Sequence, residues 1–180
     1  MKPSIAEQYD LGGVGHVEGW TTVNLCAPCD IQQDILDFDR PASAICLSHT
    51  LEHVPLSEYE GFLKRMVGLL VPSGKLIVRQ TDIGRVAQMY AREEISFDTF
   101  AACTFTPPQR LRRSMLMEHK SMHCMETMEK ELSQLGLQVI HSEINYWSFD
   151  MFEKDYETLE RDYNLGASIP EFTVTAISSG

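Results

Sequence analysis

The order of apolar, glycine-rich and helical segments in this chain predicts an α/β fold: a mostly parallel sheet with an antiparallel C-terminal edge and a shortened N-terminal part. Three observations carry that expectation. Ala42 to Leu47 is a short apolar run between a proline and polar residues, the pattern of a central strand covered on both faces. Tyr59, Phe62, Leu63, Met66, Val67 and Leu70 then recur at helical spacing and are followed by a second apolar run, Lys75 to Gln80, which makes a right-handed strand–helix–strand crossover. Leu137 to Ile144 and Phe172 to Ser178 read as two last strands with no long crossover pattern between them, which suits an antiparallel pair.

The remaining elements follow in chain order. Ile5 to Leu11 is a first strand, polar through Glu7, Gln8 and Asp10, and it runs into Gly12-Gly13-Val14-Gly15, where close backbone approach is permitted. Gly12 to Gly19, eight residues, separate it from the β-branched and aromatic strand Trp20 to Leu25. A parallel crossover usually needs about a dozen residues, so the first helix must be missing or reduced to a turn. Ile31 to Phe38 is a further short extended piece. Ser57 with Glu60 forms S-x-x-E, a capping box that predicts where the central helix starts, and Val71-Pro72-Ser73-Gly74 predicts where it stops. Ile83 to Arg92 reads as a helix. Phe97 to Arg113, with Pro107-Pro108, reads as irregular, and Ser121 to Leu135 as an amphipathic helix ended by Gly136.

A length of 180 residues suits a single domain, residues 1–180, here with an insertion at about 93–117. The formal charge of −11 repels phosphate backbones and argues against nucleic acid as a partner. The one basic cluster, Arg110, Arg112 and Arg113, reads as a solvated helix face. No apolar run approaches the roughly 18 residues of a membrane span. The N-terminus lacks the basic start, apolar middle and small-residue cleavage site of a secretory signal, and the 5 cysteines are odd in number. A cytoplasmic protein is expected. Cys26 and Cys29 form C-x-x-C without a second pair, so they read as two reduced thiols near a turn.

Ser48 to Val54, SHTLEHV, contains H-x-x-E-H, the inverted zinc-peptidase motif. That chemistry needs His49 and His53 on one helical face with a third ligand from elsewhere. The motif instead follows directly on a buried strand and precedes Pro55, so it reads as a turn, with Glu52 and His53 as a local pair that fixes it. His119 and His123 stand at helical spacing beside Cys124, where helix-surface histidines are the commoner meaning and a metal site with His49 or a substrate pocket the rarer. Tyr146, Trp147 and Phe149 read first as core, and as a pocket wall for an apolar acceptor only second.

The order of these pieces resembles the class I S-adenosylmethionine-dependent methyltransferases. It is most similar to a compact, type 11-like subgroup in which a shortened glycine motif runs into G-W-x-N-V-D, then a D-[IL] segment, then S-H-x-L-E-H. The counterparts here are LGGVG (Leu11 to Gly15), GWTTVNL (Gly19 to Leu25), DIQQDILDF (Asp30 to Phe38) and SHTLEHV, and FLKRMVGLLVPSGKLIV looks like the family's fourth helix, turn and fifth strand. The likeness covers residues 10 to 82 best.

The resemblance implies a Rossmann-like fold with S-adenosyl-L-methionine bound at the carboxyl ends of the strands. Gly12, Gly13 and Gly15 would then pass beneath the methionine and ribose, Asn24 would meet the ribose, Asp34 with Ile35 the adenine, and Ser48 and His49 the sulfonium. His49 is the candidate catalytic residue, a proton acceptor for the nucleophile, and no residue is assigned to a metal. Asn24 departs from the family's aspartate and gives up charge-assisted bonds. The expected function is methyl transfer to an oxygen or nitrogen of a small-molecule substrate. Two alternatives stay open: a methyltransferase-like binding or assembly protein without turnover, and a zinc-dependent hydrolase using H-x-x-E-H. The acceptor, the oligomeric state and the job of residues 93–117 are not encoded in any motif.

Overall fold

In the computed structural model, which describes residues 7–13, 15–105, 118–148 and 166–179, one sheet of 7 strands runs in the order β3-β2-β1-β4-β5-β7-β6. The strands are β1 (Glu7–Leu11), β2 (Thr21–Asn24), β3 (Ile31–Gln32), β4 (Ala42–Ser48), β5 (Leu70–Thr81), β6 (Leu137–Ser148) and β7 (Ser168–Ser178). The first five are parallel, and β7 lies antiparallel between β5 and β6. The α/β class, the mostly parallel sheet and the antiparallel C-terminal edge are as the sequence predicts. The shortened N-terminal part is present too: among the described residues, β1, β2 and β3 follow one another with no intervening α-helix.

The chain builds outward from β1 in both directions, first to β2 and β3 and then back to β4 and β5. The carboxyl ends of β1 and β4 therefore meet at a switch point, the place where open α/β sheets bind ligands. Leu11, Val23, Ile45, Leu47, Leu76, Val78, Phe172 and Val174 form the sheet's share of the main core. Phe62, Leu63 and Met66 of α1 (Leu56–Gly68) and Met128 and Leu132 of α4 (Met125–Gln134) complete it. A smaller cluster joins Val86 of α2 (Ile83–Ala91) to Ala102 and Cys103 of α3 (Phe97–Thr104) and to Ile169.

Four local expectations differ from the structure. The capping box does not form: α1 begins at Leu56 behind Pro55, which puts Ser57 inside the first turn, and Glu60 pairs with Lys64 at 2.5 Å instead. Val71 to Gly74 is not a stop between helix and strand but a bulge inside β5, where the register slips and Ser73 takes a φ of 61°. Phe97 to Thr104 is helical, with Ser96 accepting from Thr99 N at 3.2 Å as its cap. The helix expected from Ser121 starts only at Met125, because Ser121 and His123 bond elsewhere, Ser121 Oγ donating to the Leu51 carbonyl at 3.0 Å. Residues 106–117, with the arginine cluster and much of the insertion, lie outside the described residues, as does Phe149.

One buried carboxylate ties the two helices beyond β5 together. Asp82, 1% exposed, accepts from Arg85 N at 3.0 Å through one oxygen and from Met125 N at 3.3 Å through the other, so it caps α2 and α4 at once. Asp82→Ala strips both caps and is expected to cost about 3 kcal/mol, measured as a lower urea midpoint at unchanged slope. A loss under about 1 kcal/mol would show that neither cap carries stability.

Candidate functional site

Two turns meet at the switch point. Gly12 follows β1 with φ +88°, and Thr50, just past β4, sends its hydroxyl to the Leu11 carbonyl at 2.6 Å. A Cβ on Gly12 would stand 2.6 Å from that hydroxyl, so glycine is required there for both conformation and space. A Cβ on Gly13 would run into the Asp10 carboxylate. Gly15 is turned away, its N–H donating to the Pro28 carbonyl at 2.7 Å and its carbonyl accepting from Thr22 Oγ1 at 2.7 Å.

Asn24 closes β2 facing this turn. Its amide donates to the Gly12 carbonyl at 2.8 Å and the Gly13 carbonyl at 3.3 Å, and its Oδ1 accepts from Cys26 N at 3.1 Å. An aspartate could not donate to either carbonyl, which is a local reason for the amide at this position. Asp34 Oδ1 accepts from Leu36 N at 2.9 Å and so starts the 3-10 turn Ile35–Asp37 after β3, while Ile35 packs on the edge of the core.

Asp10 escaped the sequence reading. It sits on β1 two residues before Gly12, its Oδ1 buried and with no hydrogen-bond partner among the described residues. Burial pushes its carboxyl above the usual range. The same surroundings push the neighbouring Cys46 thiol up to about 12, by burial first and by the Asp10 charge second. The signal available in the sequence was an acid at the end of a strand, directly before a glycine turn.

SHTLEHV is a turn, as expected, with a single 3-10 turn at Leu51–His53 and no α-helix. His49 adopts a φ of 49°, a strained conformation for a non-glycine residue, fixed by its N–H to the Arg79 carbonyl at 2.9 Å. Its Nε2 lies 2.6 Å from Glu171 Oε2 and its Nδ1 3.5 Å from Glu52 Oε1. Glu171, almost fully buried, also accepts from Arg79 Nε at 2.5 Å, and Glu52 accepts from Gln80 Nε2 at 2.7 Å.

Burial alone would lower the His49 pKa, but hydrogen bonds to Glu171 and Glu52 outweigh it and raise the value to about 9. The ring is therefore a cation at neutral pH and holds a proton to give. A proton-accepting role, as expected for His49 from the sequence, would use its neutral form. Burial raises both carboxyls and the His49 hydrogen bonds more than offset it, which leaves Glu52 and Glu171 below their usual range.

Beside this network lies a small cleft, open to solvent, lined among others by Glu52, Gln80, Thr81, Ile83, His119 and His123. His119 and His123 share no helix; their segment runs across the strand ends, held by Lys120 N and Ser121 N, both donating to the Glu52 carbonyl at 2.5 and 3.3 Å. His123 is buried against the Tyr59 ring, centroids 4.9 Å apart, and burial lowers its pKa, so it stays neutral. Tyr146 is exposed and Trp147 packs on the smaller core cluster; neither lines the cleft. All 5 cysteines are free, with Cys26 and Cys29 in the turn between β2 and β3. Among the described residues no helix is long and apolar enough to cross a membrane.

No family model and no curated protein matches the chain. Solved structures do. A Bacillus halodurans protein assigned to the methyltransferases aligns with TM-score 0.64 and 12% identity over 97% of this chain and 93% of its own. A SAM-dependent methyltransferase of Methanosarcina mazei aligns with TM-score 0.57 and 12% identity over 97% and 92%. The Burkholderia thailandensis 1,6-didemethyltoxoflavin-N1-methyltransferase, solved with 1,6-didemethyltoxoflavin and S-adenosylhomocysteine, aligns with TM-score 0.57 and 11% identity over 97% and 72%. The chain has the Rossmann-like fold of these methyltransferases.

Proposed function

We propose that this chain is an S-adenosylmethionine-dependent methyltransferase acting on an oxygen or nitrogen of a small molecule, a compact member of the type 11-like kind. The observation that carries the reading is Asp10: a buried carboxylate oxygen without a hydrogen-bond partner among the described residues, beneath a glycine turn, at the switch point of a sheet whose solved relatives in fold are methyltransferases. A cationic ligand answers such an atom, and S-adenosylmethionine carries both an ammonium and a sulfonium.

The donor set fits that cofactor elsewhere as well. Gly12 and Gly13 bring the turn tight against Thr50 and Asp10, Asp34 and Ile35 follow the strand end next to Asn24, and Ser48 and His49 end and follow β4, the strand paired with β1. When bound, the cofactor supplies an electrophilic methyl group on a sulfonium. The protein's task is then alignment and exclusion of water, because in-line displacement needs little covalent help. The cleft beyond Glu52 and Gln80 is the place for the acceptor. His49 acts there as a positioning residue that keeps Glu52 and Glu171 in place. A cytoplasmic setting goes with this reading.

Asn24 favours a second reading, a methyltransferase-like binding or assembly protein, because its amide and carbonyl are already spent on the Gly12, Gly13 and Cys26 backbone. Calorimetric titration of the full chain with S-adenosylmethionine and S-adenosylhomocysteine separates the two. Micromolar binding that Asp34→Ala loses is expected. No heat at millimolar ligand would overturn the enzyme and leave the binding protein.

A further inference from the structure

We propose that Glu52, His53 and His119 form a site for a divalent transition-metal ion of the zinc class on the rim of the cleft. One ligand atom from each comes together with the others within 4.8 Å. A tetrahedral ion with bonds of about 2.1 Å needs donors about 3.4 Å apart, so side-chain adjustments on the order of an ångström close the set. Two imidazoles and one carboxylate are the donor set of catalytic zinc sites, which leave a coordination position open.

The groups around the three donors prepare them for this task. His53 Nδ1 lies 3.1 Å from the Glu118 carbonyl, and a carbonyl can only accept, so Nδ1 carries the proton. In that tautomer the lone pair is on Nε2, the atom 4.0 Å from Glu52 Oε1. A ligating histidine fixed by a carbonyl on its other nitrogen is the usual arrangement at metal centres. Glu52 is oriented in the same way: Gln80 Nε2 holds Oε2 at 2.7 Å, and Oε1 lies 3.5 Å from His49 Nδ1 and 4.0 Å from His53 Nε2. His119 is brought to the turn by the Lys120 and Ser121 amides on the Glu52 carbonyl, with its ring centroid 5.3 Å from that of His53.

The ligands differ from those that H-x-x-E-H implies. His49 Nε2 is taken by Glu171, and the 3-10 turn does not stack His49 over His53 as a helix would. The adjacent Glu52-His53 pair supplies two donors, and a histidine from a distant segment supplies the third. Glu52 and His119 both line the cleft, so the open position faces it and suits a hydroxyl, amine or carboxylate of a small molecule. Use of the ion to orient a methyl acceptor rests on the function proposed above; its binding does not.

The test uses the full chain, freed of metal with a chelator and titrated with Zn²⁺ by competition calorimetry, with Co²⁺ absorption reporting the geometry. One ion per chain and a tetrahedral cobalt spectrum are expected. His119→Ala, which alters a half-buried side chain, and Glu52→Gln are each expected to weaken zinc by about tenfold or more. Circular dichroism checks that His119→Ala is folded, and that variant decides if Glu52→Gln is not. S-adenosylmethionine titrated into His119→Ala should bind as to the parent, so the metal site and the methyltransferase reading fail separately. No binding at micromolar zinc, an unchanged affinity in His119→Ala, or an ion lost only in Cys26→Ser would overturn the proposal.

Discussion

Gly12→Ala is expected to destabilise the chain by about 3 kcal/mol and to abolish S-adenosylmethionine binding. A side chain held at φ +88° costs about 1–2 kcal/mol by itself. The new methyl would stand 2.6 Å from Thr50 Oγ1, so the threonine must leave its bond to the Leu11 carbonyl, a further loss of about 1–2 kcal/mol at a buried acceptor. That bond links the turns after β1 and β4, and its loss displaces both walls of the switch point. Urea unfolding of Gly12→Ala, Thr50→Ala and the double variant forms a cycle, and the double should cost less than the sum because Thr50→Ala removes the clash. Additive costs would show that Thr50 is not what Gly12 accommodates.

Asp10→Asn is expected to move stability and binding in opposite directions. The amide removes a half-buried charge whose Oδ1 has no hydrogen-bond partner among the described residues, and the free chain should gain about 1 kcal/mol at neutral pH. Loss of a charge-assisted contact should weaken S-adenosylmethionine by about 10- to 100-fold. The pH dependence has a defined sign. Burial raises the folded carboxyl above its ordinary value of 3.8, so the native state keeps its proton longer than the unfolded chain. The wild type therefore loses stability, relative to the variant, as pH rises through the folded pKa, and the two converge below the unfolded value. Thermal melts across that range would show it. A variant less stable than wild type at pH 7 would mean that the carboxylate is satisfied in the free protein.

What could be read in advance divides along physical lines. The crossover from Ala42 to Gln80 was legible because periodicity reports which faces are buried, and burial of those faces holds the elements in place. Gly12 and the SHTLEHV turn were legible because local backbone demands select local residues. Ser57 and Glu60 misled because Pro55 starts α1 two residues earlier than the capping box requires. Glu171 was invisible for a different reason. It lies 122 residues from His49, and only the placement of β7 beside β5 makes the two neighbours. His119 was misassigned to a helix surface because the bonds that hold its segment extended end on the Glu52 and Leu51 carbonyls, which no spacing rule reveals. Asp10 was missed since nothing in a lone strand-end acid announces that its partner is lacking.

The position of β7 also sets the timing of assembly. It is made after every other strand of the sheet, yet it sits inside, with β5 on one side and β6 on the other. While a ribosome is still making residues 168–178, β5 presents an open row of backbone donors and acceptors, and His49 and Arg79 have no Glu171 to meet. The polar network at the strand ends is therefore completed by the same event that seals the sheet, so a nascent chain short of that strand has neither the closed edge nor the clamped histidine.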